Sequence, residues 1–129
     1  MTRREIRIVI MQALYTADFN ELSMYEALCV VMDDEPNDTA LRYLNYIEEN
    51  LEKIDGIISS ALHNYSLARL NLVDKAIIRL ATAELLMKET DKKIIINEAL
   101  EITKEYSDMG DHKAAAFNNK LLDNISKII

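Results

Sequence analysis

Arg3, Arg4 and Arg7 are the residues of this chain whose type and spacing most suggest chemistry. At about 100° per residue they fall within roughly a quarter-turn arc of one helix. Planar guanidinium groups grouped this way suit phosphates and base edges. They stand out against an acidic background. The chain carries a formal charge of −7, but residues 1–17 balance at +2, residues 18–64 at −9 and residues 65–129 at 0. A global basic footprint for nucleic acid is absent, and any such footprint must be local.

The remaining reactive side chains point away from catalysis. Gly56 and Gly110 are the only glycines, so no Gly-rich phosphate loop or dinucleotide fingerprint exists. His63 and His112 have no metal-ligand spacing to a Cys, Asp or His, and each reads as a surface or helix-end histidine. Cys29 lies in "ALCVVM" with no histidine at helical spacing, so it reads as a small buried hydrophobe. One cysteine also argues against a disulfide-dependent compartment. Asp74, Arg79, Glu84 and Glu98 are charges set inside apolar helices and read as a paired structural network. The sequence calls for no catalytic residue, cofactor or metal.

These side chains must be positioned by helices. Two glycines and Pro36 as the only proline are too few turns for a β-rich fold. Thr2 with Glu5 and Ser23 with Glu26 fit the capping box, and Asn71 with Asp74 fits a third helix start. The first helix is expected over about 3–18, with a core stripe of Ile6, Ile10, Ala13, Leu14 and Ala17. Beside Arg4, Ile8, Met11 and Tyr15 form a second apolar strip on the same helix. A short helix follows at 24–32 and a loop at 33–38. One long helix is expected over 39–64, its apolar residues stepping by three and four, with Glu48, Glu49 and Glu52 on a solvated face. Residues 72–88 are apolar on nearly every side and should form a central helix. Helices over 96–108 and 112–127 complete an all-α bundle of about six or seven helices in one domain, 1–129. On the last helix Phe117, Leu121, Ile125 and Ile128 share the apolar stripe, so Phe117 alone reads as core. No apolar run approaches the ~18 residues of a membrane span. Arg7 and Gln12 interrupt the early apolar run, which makes a signal peptide a poor fit, and the protein is expected in the cytoplasm.

Four blocks then carry a family resemblance. "RREIRIVIMQALY" (3–15), "NLVDKAIIRLATAELL" (71–86), "INEALEITKEYSD" (96–108) and "KAAAFNNKLLDNI" (113–125) resemble the NusB transcription antitermination factors in order and spacing. The resemblance implies two small helical bundles sharing long helices, and no enzymatic activity. It implies binding to boxA, a short single-stranded element of ribosomal RNA leader transcripts, together with NusE, the ribosomal protein that doubles as an elongation factor. The assembly acts on RNA polymerase so that it resists termination. Some members form homodimers that hide the RNA surface.

By position, the resemblance assigns RNA contacts to Arg3, Arg4, Arg7, Phe117 and Asn119. Lys113 and Lys120 are expected to add phosphate contacts. Met11, Tyr15 and Asp74 are expected at the protein partner's interface. The family's Phe-Val-Asn-Gly motif stands here as Phe117-Asn118-Asn119-Lys120, and Glu5 sits among the arginines. Bases that neutralise phosphate, with an aromatic that can stack, are what single-stranded RNA requires. Two alternatives stay open. One is a NusB-fold protein-interaction module whose arginines are engaged by acids. The other is the RNA-guiding domain of a ribosomal RNA methyltransferase, which is normally fused to a catalytic domain absent here.

Overall fold

The computed structural model describes residues 1–129 and contains seven α-helices and no strand. They are α1 (Arg3–Asn20), α2 (Met24–Val31), α3 (Asp38–Glu49), α4 (Leu51–Ala61), α5 (Leu72–Met87), α6 (Lys92–Tyr106) and α7 (Lys113–Ile128). A single 3-10 turn, Leu67–Arg69, leads into α5. No helix is long and apolar enough to cross a membrane.

The helix starts follow from local chemistry. Thr2 Oγ1 accepts from the Glu5 amide at 3.1 Å while Glu5 Oε1 accepts from the Thr2 amide at 2.8 Å, so α1 opens with a capping box. Ser23 and Glu26 repeat it at α2. Asn71 Oδ1 accepts from the Asp74 amide at 2.8 Å and starts α5. Two further caps were not read from the sequence. Asn37 caps α3. Asp91 Oδ1 accepts from the Lys93 amide at 2.8 Å, which lets α6 begin before the expected residue 96. Each such cap is worth about 1 kcal/mol.

The long helix expected over 39–64 is two helices broken at Asn50. Its backbone leaves helical geometry (φ −117°, ψ 16°), and Asn50 Nδ2 donates to the Tyr46 carbonyl at 2.9 Å. An asparagine side chain competes with the helix ladder for backbone partners. The apolar steps continue across the break, so periodicity could not reveal it. The second helix ends at Ala61, and His63 and Asn64 fall in the connection. Cys29, expected buried, is only partly covered on α2.

α5 is the spine. From Ala76 to Leu85 every residue is buried. α1, α2 and α3 pack together on one side of it, and α4, α6 and α7 on another, giving two small bundles that share α5. One apolar core runs through residues of all seven helices.

Three buried charged residues punctuate this helix at intervals of five, Asp74, Arg79 and Glu84. Each step of five turns the side chain by about 140°, so the three point to different sides of the bundle. Arg79 donates to both oxygens of Asp55 (2.9 and 2.8 Å) and to Asp18 (3.0 Å), joining α5 to α4 and α1. Glu84 accepts two bonds from Arg7 of α1. Asp74 accepts from Asn71, from Ser107 after α6 and from Asn118 of α7. With the Glu98 pairs described next, these are the paired network expected for Asp74, Arg79, Glu84 and Glu98. Glu48, Glu49 and Glu52 are exposed, as a solvated face requires.

Candidate nucleic-acid interface

The basic tip of α1 is occupied territory. Arg7 is 5% exposed, and its Nε and Nη2 each donate to Glu84 at 2.9 Å. Its Nη1 lies 3.6 Å from Glu98. Burial opposes the Arg7 charge, but the bonds to Glu84 and the charges of Glu84 and Glu98 prevail and raise its pKa. Arg4 is exposed yet holds Glu98 with two bonds, Nε to Oε1 at 3.1 Å and Nη2 to Oε2. The Arg4 bond and charge hold the Glu98 carboxyl below its usual range, against partial burial. Arg3 meets no carboxylate; its Nη2 donates to Thr90 Oγ1 at 2.9 Å. Glu5 is turned to the Thr2 amide, which lowers its pKa. Nearby Arg42 of α3 pairs with Glu89 at 3.0 and 3.1 Å. A cavity of about 250 Å³ opens between Arg3, Thr39, Arg42 and Tyr43, with Arg7 and Glu84 in its wall.

A second cluster lies on α7. Phe117 is 39% exposed, at the margin of the apolar stripe, while Leu121 and Ile125 are buried. Its ring meets Tyr65 with centroids 5.6 Å apart at 59°. The Arg69 guanidinium lies over the Tyr65 ring at 4.7 Å, and the Tyr65 hydroxyl donates to the Arg69 carbonyl at 3.0 Å. Lys113, Asn119 and Lys120 are exposed on the same helix. None of Lys113, Lys120 and Arg69 makes an ion pair.

Asn118 explains how this ledge is aimed. It is fully buried, and its amide donates to Asp74 Oδ1 and Thr103 Oγ1, both at 3.1 Å. That fixes the rotation of α7 and turns Phe117, Asn119 and Lys120 outward. The departure from Phe-Val-Asn-Gly at 118 is therefore taken up inside the protein, while Lys120 adds a free cation outside.

Between the two bundles, α1 carries an apolar groove of about 370 Å³ lined by Met11, Gln12, Tyr15, Val31, Val73 and Tyr106. Met11 is 2% exposed and forms its floor. Tyr15 stacks in parallel on Phe19, which is 64% exposed. Val73 reaches this groove; Asp74, expected beside Met11 and Tyr15, turns inward to Ser107 and Asn118 instead.

The structure thus brings Lys113, Phe117 and Lys120 together, and separately Arg3, Arg4 and Arg7; Asn119 is exposed on the opposite flank of α7 from Phe117. It does not merge them into one patch. Their anchors on α5, Asp74 and Glu84, are ten residues apart, about 15 Å along the axis. Tyr65 and Arg69 were missed by sequence reasoning, because they meet in the connection between α4 and α5, where no helical spacing announces the pair. Arg42, which joins the tip through the α3 fold-back, had no local signal.

Comparison with known proteins gives a consistent result. A model of the NusB family matches residues 4–127. A transcription antitermination protein NusB from Listeria innocua is 35% identical over 127 residues, 98% of this chain and 97% of that protein. One from Staphylococcus aureus is 33% identical over 133 residues, 98% of this chain and all of that protein. The structure of T. maritima NusB superposes with a TM-score of 0.87 at 35% identity, covering 98% of this chain and 92% of that one. A crystal structure of the antitermination factors NusB and NusE in complex with dsRNA gives a TM-score of 0.86 at 26% identity, covering 98% and 97%.

Proposed function

The chain belongs to the NusB family, and from that premise we propose that it is a non-enzymatic transcription antitermination factor. It binds boxA-type single-stranded RNA of ribosomal RNA leader transcripts together with NusE and acts through that assembly on the RNA polymerase elongation complex. Residues 1–129 serve as one RNA-binding domain working in the cytoplasm. The observation that carries this reading is the ledge on α7. There an exposed aromatic, Phe117, stands between Lys113 and Lys120, and neither lysine has an acidic partner.

Each residue has a role in this reading. Lys113 and Lys120 neutralise phosphates, Phe117 stacks a base and Asn119 offers an amide to a base edge. Arg3 extends the phosphate track at the α1 tip. Arg4 reaches RNA by exchanging Glu98 for a phosphate. Arg7 is buried and acts by holding α1 and Glu84 in place. Met11 and Tyr15 receive an apolar segment of NusE, and Asp74 sets the height of α7 behind the ledge. Two weak binders on one RNA raise each other's effective concentration.

The test is titration of boxA RNA with and without NusE at two salt concentrations. Binding that tightens with NusE and weakens with salt is expected. No binding near physiological salt, with NusE present, overturns the reading. A second reading, the protein-interaction module, is favoured by one observation: Arg4 and Arg7 already hold Glu98 and Glu84. It predicts NusE binding that RNA does not affect.

A further inference from the structure

We infer that the cavity between α1, α3 and α5 binds a small organic anion, a molecule with an acidic head and a short apolar body. The cavity measures about 250 Å³. At about 30 Å³ per water it has the space of about eight waters, which suits a molecule of about ten non-hydrogen atoms.

Its walls divide by chemistry. Ile10 and Leu80 are buried and form an apolar floor, while exposed Arg3 and Arg42 stand at the mouth. Three guanidiniums and one carboxylate line the space, and that carboxylate, Glu84, has both oxygens committed to Arg7. The lining therefore offers positive charge and donors, and no free carboxylate. The groove beside Tyr15 has no charged residue in its wall, so the preference for an anion belongs to this cavity.

Tyr43 is the most telling group. It is 7% exposed and lines the cavity, yet its hydroxyl donates to no acceptor in the protein. The Arg42 guanidinium lies over its ring, 4.9 Å from the centroid. A buried phenol normally finds an acceptor. Here that acceptor is left to an occupant. The two cations at the mouth can join it. Arg3 is held only by a neutral hydroxyl, that of Thr90. Arg42 holds Glu89 in a pair open to water, which competes weakly with a desolvated ligand. An anionic head thus meets Arg3, Arg42 and the Tyr43 hydroxyl, and its body rests on Ile10 and Leu80. The apolar floor separates this ligand from an RNA phosphate, which presents charge on a hydrated backbone and has no apolar body to bury.

The test is calorimetric titration of the full chain, without RNA or NusE, at fixed ionic strength. The ligands are phenyl phosphate and benzoate, with inorganic phosphate, formate and benzyl alcohol as the separate parts. Saturable one-to-one binding is expected for phenyl phosphate or benzoate, about ten-fold or more tighter than for its own head or for benzyl alcohol. Which of the two saturates separates a phosphate head from a carboxylate one. Tyr43→Phe keeps the ring and should weaken binding by about ten-fold, the loss of one hydrogen bond to a charged group. Arg42→Gln should weaken it similarly, and Lys53→Gln, an exposed charge on α4, should leave it unchanged. Melting curves check that each variant folds. Heads that bind as tightly as the whole molecules reduce the cavity to a basic surface and overturn the proposal. So does full binding by Tyr43→Phe and Arg42→Gln, or no saturation by either ligand. None of these outcomes bears on the RNA reading, because no RNA is present.

Discussion

The tip of α1 and the ledge of α7 hold similar numbers of cations, but they differ in what those cations are doing. At the tip Arg4, Arg7 and Arg42 are already bonded to Glu98, Glu84 and Glu89. At the ledge Lys113, Lys120 and Arg69 face solvent or an aromatic ring and no acid. The densest basic sequence is thus not the freest basic surface. Charge that is hydrogen-bonded to carboxylates builds structure first and binds a ligand only by exchange. Unpaired charge carries no such prior commitment.

The largest effect that would sharpen this contrast is on stability. Glu84→Ala leaves the Arg7 guanidinium buried without its partner, and loss of about 3–5 kcal/mol is expected in urea denaturation. Lys120→Ala should stay within about 0.5 kcal/mol of wild type in the same assay. If both change stability equally, the division between structural and free cations fails.

Next in size is the salt dependence of RNA binding. Single-strand binding loses a slope of about 0.7 per phosphate contact removed. Lys113→Ala with Lys120→Ala should therefore flatten the slope by about 1.4 and weaken binding broadly across sequences. Arg4→Ala should flatten it less, since the wild-type arginine must first release Glu98. A larger change for Arg4 than for the lysine pair would reverse the comparison.

A smaller effect is expected from Glu98→Gln. It removes the carboxylate that competes with phosphate for Arg4, and binding should tighten by a few-fold in the same titration. Unchanged or weaker binding would mean that Arg4 never trades partners.

The smallest effect is on acid stability. The Glu98 carboxyl is held below its usual range chiefly by the bond from Arg4. Its contribution is therefore complete above the ordinary carboxylate pKa and is lost as pH falls through the lowered value. Urea midpoints measured between pH 6 and pH 3 should fall less steeply for Glu98→Gln than for wild type. Equal slopes would mean that the pair adds nothing at the tip.

Much of the scaffold was legible because its signals are local. Thr2, Ser23 and Asn71 announce helix starts through a side chain and an amide three residues away. The apolar run 72–88 announces a buried helix by having no polar side. Asn50 was not legible, since the stripe passes through it in phase. The partners of the arginines were illegible for another reason: Arg7 and Glu84 are 77 residues apart, and only the packing of α1 on α5 shows that the cation is consumed. Phe117 was ambiguous at the same level. Its place on the stripe reads as core, and only the buried Asn118 beside it shows that the ring sits at the stripe's edge.

Asp74, Arg79 and Glu84 have one further consequence. Together they key α1, α4, α7 and the end of α6 to α5 in both height and rotation, so these helices cannot slip past it by a turn without breaking charged bonds. The anchors of the α1 tip and the α7 ledge are then held at a fixed separation along α5, ten residues or about 15 Å of helix axis, which makes the spacing of the two regions a rigid gauge. A rigid gauge converts oligonucleotide length into a threshold: a strand too short to bridge it engages one region at a time, and one long enough engages both.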